Sequence, residues 1–308
     1  MLQLLVGTDI PFMKFRRMAY VFSGALLAIT LFWFFTKGPK LSVDFTGGTL
    51  LQVRTSQPVH ADALRKALEG AGLQAEIQQL TGEAADEYLI RFRTEGDPVA
   101  QVQDAVAKAM PGTTIELRRN ETVGPKVGAD LSRKATWAIL ASLGAILLYV
   151  GFRYEFKFAL GGVLALFHDV LVTLGALMFT GREVSLTVIA ALLTIAGYSI
   201  NDTIVVFDRI RERSKALRKE THERAMDIAV NETLSRTIIT AFTVFLAALA
   251  LFVWGGDVLR DFSFAMLVGT VFGTYSSVYV ASAIALDIWV ALDRKQAPAA
   301  PTAKSSRS

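Results

Sequence analysis

Four stretches of this chain carry no charged side chain over roughly the thickness of a membrane: Met18–Thr36, Ala135–Phe152, Thr237–Gly256 and Phe262–Leu286. A helix crossing the hydrocarbon layer needs about 20 mostly apolar residues, because no water is there to satisfy a less regular backbone. Two further stretches are long enough but interrupted. Phe158–Gly181 carries His168 and Asp169, and Val184–Phe207 carries Asp202. The chain is therefore read as an α-helical polytopic membrane protein with six transmembrane helices. The first span is taken as retained, since no small-residue cleavage site follows it before Lys37 and Lys40.

Composition agrees. Only 19% of residues are charged and 52% are hydrophobic, where soluble chains carry about a quarter charged. Without a cysteine the chain is no disulfide-stapled scaffold. The formal charge of +4 says little about nucleic acid, because its placement follows the membrane. Lys14, Arg16, Arg17, Arg153 and Lys157 fall on one side, together with the basic residues between Arg209 and Arg224 and those of the tail. The opposite short loops offer Arg182 and Arg260. By the positive-inside rule both termini are cytoplasmic. The expected division is a cytoplasmic N-terminus over 1–17, span one over 18–36 and an extracytoplasmic domain over 37–134. Spans two to four follow over 135–207, then a cytoplasmic amphipathic segment over 208–235, spans five and six over 236–291, and a disordered tail over 292–308.

The polar insert alternates in period. Leu41–Arg54 reads as a strand, Ala61–Ala71 as a helix, and Ala75–Leu80 and Glu87–Arg93 as strands around a TGEAAD turn. Val99–Met110 reads as a helix stopped by Pro111 and Gly112, and Thr113–Glu121 as a last strand. That order, βαββαβ, is the ferredoxin-like α+β arrangement. Its one histidine, His60, is expected in a solvated loop. Gly47 and Gly48 within an apolar strand mark a bulge or a close backbone approach. No phosphate loop fits, because no helix start with a Lys-Ser/Thr pair follows the glycines. Gly124, Pro125 and Gly128 mark the re-entry into span two, as a hinge or a plain turn.

Ionisable residues inside spans are costly, so they mark function by default. Asp202 lies on the order of 10 Å along the helix from Arg209, at about 1.5 Å per residue, inside the cytoplasmic half of span four. Low dielectric disfavours its charged form, which lets it take up and release a proton near neutral pH. Arg236 enters span five from the same side and is the natural partner, as a relay member, a fixed ion pair, or an arginine that snorkels to the headgroups. His168 and Asp169 belong either to a relay or to a polar packing contact. Asp287 is expected at the interface. In span six, Gly269, Gly273 and Ser277 fall on one face as a small-residue seam, for packing within the chain or against a partner. Gly197 and Ser199 do the same around Asp202. Residues 208–233 are read as an amphipathic helical hairpin or an interfacial helix.

Four motifs then resemble one family. SVDFTGGT (Ser42–Thr49, with Asp44, Phe45, Thr46, Gly47 and Gly48), VGPKVG (Val123–Gly128), GYSINDTIVVFDRIRE (Gly197–Glu212, with Asn201) and NETLSRT (Asn231–Thr237) are similar to those of the SecF family. That family is the smaller half of the bacterial SecD–SecF export complex, within the resistance-nodulation-division superfamily. The resemblance runs over about residues 10–293. It implies a subunit of the inner (cytoplasmic) membrane that pairs pseudo-symmetrically with a separate SecD chain and associates with the SecYEG channel. With protons as the coupling ion, the pair would pull an exported preprotein outward at a late stage. The Asp of the NDT triplet and the Arg of the LSRT stretch belong to the family's proton path, and they match Asp202 and Arg236. No cofactor, metal or nucleic acid is expected, and no enzymatic activity, since no nucleophile–base pair or metal cluster is in view. The rival readings are a purely structural assembly subunit and a small-substrate or lipid efflux protein of the same superfamily.

Overall fold

The computed structural model describes residues 7–80, 86–92, 98–217 and 219–296. Residues 81–85 of the expected TGEAAD turn, Arg93 and residues 297–308 of the expected disordered tail lie outside the described residues, whereas residues 292–296 of that tail are helical. After a 3₁₀ turn at Phe12–Phe15 come helix α1 (Arg16–Thr36), strand β1 (Lys40–Leu41), the single-turn helix α2 (Val43–Thr46) and strand β2 (Gly48–Thr55). Helix α3 (Ala61–Gly70), strands β3 (Ala75–Gln79) and β4 (Glu87–Phe92), helix α4 (Val99–Ala109) and strand β5 (Ile115–Val123) follow. Next are helices α5 (Pro125–Arg153) and α6 (Phe156–Phe179), strand β6 (Glu183–Val184), and helices α7 (Leu186–Ala216) and α8 (His222–Trp254). Helix α9 (Gly256–Ser276), a π-helical turn at Ser277–Ala281 and helix α10 (Ser282–Gln296) end the described chain.

Among the described residues, six helical stretches are long and apolar enough to cross a membrane, matching the expected spans. The chain divides into two compact units, one of helices and one built on a sheet.

In the helical unit, α6, α7 and the α9–α10 stretch bury about half of their apolar windows, whereas α1, α5 and α8 leave most of theirs uncovered. Asp169 and Asp202 therefore ride on inner helices. The expected amphipathic segment is a hairpin continuous with spans four and five, not a separate interfacial helix. Its Ile210, Ala225 and Val230 are buried, and burial of such an apolar face prolongs a helix beyond the span. Thr221 caps the second arm by accepting from the Arg224 amide at 3.2 Å. The N-terminal segment closes the same end. Phe12 and Met13 are buried, the Met13 amide donates to Asp227 at 2.8 Å, and Asn231 exchanges two hydrogen bonds with the backbone of Ile10. Arg16 bridges to Asp287 at 3.2 Å, and His222 to Asp293 at 2.6 Å. The basic segments that the charge rule puts on one side thus meet at one end of the helices.

In the other unit, β3-β4-β2-β5 form an antiparallel sheet. Helices α3 and α4 cover the face that carries Leu51, Val53, Ile77, Tyr88, Ile90 and Phe92. This is the expected α+β fold, inserted between the first two spans. A bulge interrupts the β2–β5 register at Gln52/Val53 and sharpens the local twist. The single strand expected over 41–54 is broken. Ser42 accepts from the Asp44 amide at 3.3 Å and starts a helical turn, which Gly47 ends at φ +69°. β1 instead pairs in parallel with β6, from the α6–α7 connection.

Candidate functional site

Among the described residues three carboxylates are buried on the long helices: Asp227, near the start of α8 against the N-terminal segment, and Asp169 and Asp202, within the apolar spans. Asp202 on α7 is 6% exposed. Its Oδ1 accepts from Thr237 Oγ1 of α8 at 2.7 Å, and its Oδ2 accepts from Ser277 Oγ at 2.6 Å. Asp169 on α6 has no exposure. Its Oδ1 lies 2.9 Å from His168 Nδ1, and its Oδ2 accepts from Ser276 Oγ at 2.6 Å and from Ser199 Oγ. Burying such groups in hydrocarbon is affordable only with partners of this kind.

The small-residue seam makes the arrangement possible. A Cβ on Gly269 would overlap Ile195, and one on Gly273 would lie 3.3 Å from the Ser199 Cβ and 3.7 Å from Asp169 Oδ2. The seam therefore packs against α7 within this chain, bringing Ser276 and Ser277 to the two acids. Gly161 opens a similar approach, since its Cβ would lie 2.7 Å from the Ala281 carbonyl.

Arg236 does not form the direct pair expected with Asp202. It is exposed, and Thr237 holds the carboxylate in its place. At 3.6 residues per turn, neighbouring positions on a helix face about 100° apart, so Thr237 turns in where Arg236 turns away. The arginine stays within Coulombic range of Asp202. Gly197 and Asn201 also lie on an exposed face of α7, and among the described residues no neighbouring atom comes within 4 Å of a Cβ at Gly197. With Thr194 on α7, and Arg236, Thr240 and Thr243 on α8, they leave small and polar positions uncovered on membrane helices.

The two glycine motifs meet each other in the sheet unit. A Cβ on Gly47 would lie 2.9 Å from Pro125 Cα, and one on Gly128 would lie 3.0 Å from the Gly47 nitrogen and 3.2 Å from the Phe45 carbonyl. Gly47 and Gly48 both have positive φ. This is the close backbone approach expected of the pair, and the bulge lies elsewhere. Pro125 opens α5 at its first position, where its missing N–H costs nothing. The Gly124 carbonyl accepts from the Gly128 amide at 3.0 Å, and Thr46 Oγ1 donates to the Ser42 carbonyl at 3.2 Å. Asp44 Oδ2 accepts from Ser42 Oγ and from the Leu186 amide, both at 3.0 Å, so it caps the start of α7.

Among the described residues no three His, Cys, Asp or Glu side chains cluster as metal ligands. Sequence reasoning missed Thr237, Ser199, Ser276 and Ser277 as carboxylate partners. The signals for them were Ser277, in register with the Gly269–Gly273 seam, and Ser199 among the small residues around Asp202, both read as packing positions.

Residues 101–291 match the profile described as the C-terminal region of protein export membrane protein SecD/SecF, and residues 32–59 match the SecD/SecF GG motif. The protein translocase subunit SecF of Vibrio alginolyticus is 42% identical, with 94% of this chain and 93% of that protein covered. The chain belongs to the SecF family. The SecF of Pseudomonas aeruginosa is 43% identical over 93% of both chains. The crystal structure of SecDF from Thermus, titled a translocon-associated membrane protein, superposes with a TM-score of 0.83 at 40% identity. It covers 94% of this chain, which spans 40% of the SecDF chain's length. A SecDF structure in a super-membrane-facing form gives 0.71 at 39% identity. The chain is thus a multi-pass membrane protein of a protein-translocase family, similar to one part of a larger SecDF.

Proposed function

We propose that this SecF works beside a separate SecD chain and the SecYEG channel in the inner membrane, where it uses the proton gradient to draw exported preprotein outward late in translocation. Both termini lie on the cytoplasmic side, and the sheet unit faces outward. The observation that carries the reading is Asp202, an acid buried in span four whose oxygens are each held by one hydroxyl. Protonation removes the charge that Thr237 and Ser277 solvate. It also releases Asp202 from the field of Arg236, so the packing of α7 against α8 and α9 has two states to choose between. One charge moved through 100 mV is worth about 2.3 kcal/mol, enough to bias such an equilibrium. The small and polar positions left uncovered on α7 and α8, from Gly197 and Asn201 to Arg236, suit burial against the partner half.

The test is gradient-dependent export into membrane vesicles carrying Asp202→Asn or Arg236→Met. Loss of the gradient-dependent part with normal SecD association supports the reading. Export at the wild-type rate sinks it, and loss of SecD association alone favours an assembly role.

A further inference from the structure

We propose that Asp169 is a second proton-binding site, coupled to Asp202 through the adjacent serines Ser276 and Ser277. The proposal rests on the reading of Asp202 as a proton carrier and extends that site by one helix.

The geometry at the two acids is the same fork repeated. Ser276 Oγ has two acceptors in reach, Asp169 Oδ2 at 2.6 Å and its own helix's Gly273 carbonyl at 3.1 Å. Ser277 Oγ likewise reaches Asp202 Oδ2 at 2.6 Å and the Thr274 carbonyl at 3.0 Å. A hydroxyl has one proton to give, and an ionised carboxylate only accepts, whereas a protonated one also donates. With the acid ionised, the serine donates to it. With the acid protonated, the serine turns to the backbone carbonyl and accepts from the acid. Each hydroxyl thus reports the protonation of its own carboxylate, and the two report from consecutive residues.

Consecutive positions on a helix diverge by about 100°, which lets the serine pair touch acids on two different helices, α6 and α7. The π-helical turn begins at Ser277, and Ser282 Oγ donates to the Ser277 carbonyl at 3.0 Å. Turns of this kind are local irregularities that recur at functional sites. Ser199 ties the acids together from the other side. It donates to Asp169 from a position one helical turn before Asp202.

A second observation sets Asp169 apart from a packing contact. His168 is 3% exposed, and its Nδ1 holds Asp169, while its Nε2 is buried with no hydrogen-bond partner among the described residues. Contacts made only for packing leave few buried nitrogens unpaired. An imidazole bonded to a buried acid on one side and open on the other is a place for a proton to arrive. The titratable and charged groups around the pair are His168 beside Asp169, Tyr275 with its ring 6.1 Å from that of His168, and Tyr198 and Arg236 near Asp202.

The experiment follows the protonated-carboxyl infrared band of the full chain in lipid vesicles as pH is varied. It compares wild type with Asp169→Asn, Asp202→Asn and Ser276→Ala. The chain has 28 Asp and Glu residues, so the two sites are read from wild-type-minus-variant difference spectra, in which each Asn variant is expected to remove one carboxyl component. Loss of the Asp169 charge should move the Asp202 midpoint down by about one pH unit, as interacting sites do. Ser276→Ala keeps the acid and removes a donor to its ionised form, so it should move the Asp169 component up. It decides the matter even where Asp169→Asn does not fold. An unchanged band in Asp169→Asn, or an unmoved one in Ser276→Ala, overturns the proposal. Absence of a component lost with Asp202→Asn would instead defeat the reading of Asp202, leaving the Asp169 component to be judged alone.

Discussion

Gly273 on α9 lies against Ser199 on α7, close enough that a Cβ on the glycine would stand 3.3 Å from the Ser199 Cβ. One helical turn away, Gly269 gives the same room to Ile195. These contacts settle what the seam is for: it seats α9 on the helix that carries Asp202, and Ser276 and Ser277 reach their acids as a result. In a membrane, where apolar surface alone does not drive helices together, such close backbone approach is a main source of packing energy.

Gly269→Leu should therefore destabilise the helical unit by about 1–3 kcal/mol, the usual cost of overpacking. Thermal unfolding in detergent would measure it, with Gly24→Leu as the control, because no atom comes within 4 Å of a Cβ there. Equal effects from the two would contradict the packing account.

Gly47 and Gly72 separate backbone strain from steric contact. Both have positive φ, at +69° and +77°, but only Gly47 faces a neighbour, with Pro125 Cα 2.9 Å from its missing Cβ. Gly72→Ala should cost about 1–2 kcal/mol, the left-handed penalty of an ordinary residue. Gly47→Ala should cost clearly more and should loosen the start of α5, which hydrogen exchange over residues 125–130 would detect.

Asn231 holds the N-terminal segment in place. It accepts from the Ile10 amide at 3.0 Å and donates to the Ile10 carbonyl at 2.9 Å. Asn231→Ala removes both hydrogen bonds, at about 0.5–1.5 kcal/mol each because Ile10 is exposed and water can replace the side chain. Trypsin cleavage after Lys14 should speed up. An unchanged cleavage rate would mean that the burial of Phe12 and Met13 and the Met13–Asp227 hydrogen bond hold the segment without Asn231.

The sheet unit should weaken in acid. The Arg54 guanidinium donates to Asp86 at 2.9 Å and holds its carboxyl below the ordinary carboxylate range. A depressed folded value adds stability above the unfolded one of about 3.9, and that stability is lost as pH falls through the folded value. Denaturant midpoints between about pH 6 and pH 3 should fall further in wild type than in Arg54→Ala. Parallel pH curves would remove the pair from the account.

Much of the fold is legible in the sequence because membrane and sheet periodicities are strong signals. The charge-free runs mark the spans, and the spacing of Leu64, Ala67 and Leu68 finds the buried face of α3. The break at Ser42–Gly47 was not legible. Val43, Phe45 and Thr46 are good strand formers, and only the side-chain cap from Ser42 turns them into a helical turn. That residues 208–233 form a hairpin continuous with spans four and five, and not an interfacial helix, was left open for a similar reason. Charges such as Arg209 and Glu232 mark the end of a span, whereas here they pair with each other at 2.6 Å across the hairpin.

By itself the sequence determined that six helices cross a membrane, that an α+β domain sits between the first two, and that Asp202, Asp169 and Arg236 are the costly residues within the spans. Those conclusions follow from solvation, which depends on residue type and position along the chain. The choice of partners was decided only by the tertiary structure. Whether Arg236 or Thr237 meets Asp202 turns on a rotation of about 100° between neighbouring residues, and α8 is seated with Thr237 inward. Whether the seam serves this chain or another depends on which helix lies opposite Gly269 and Gly273, and that helix is α7.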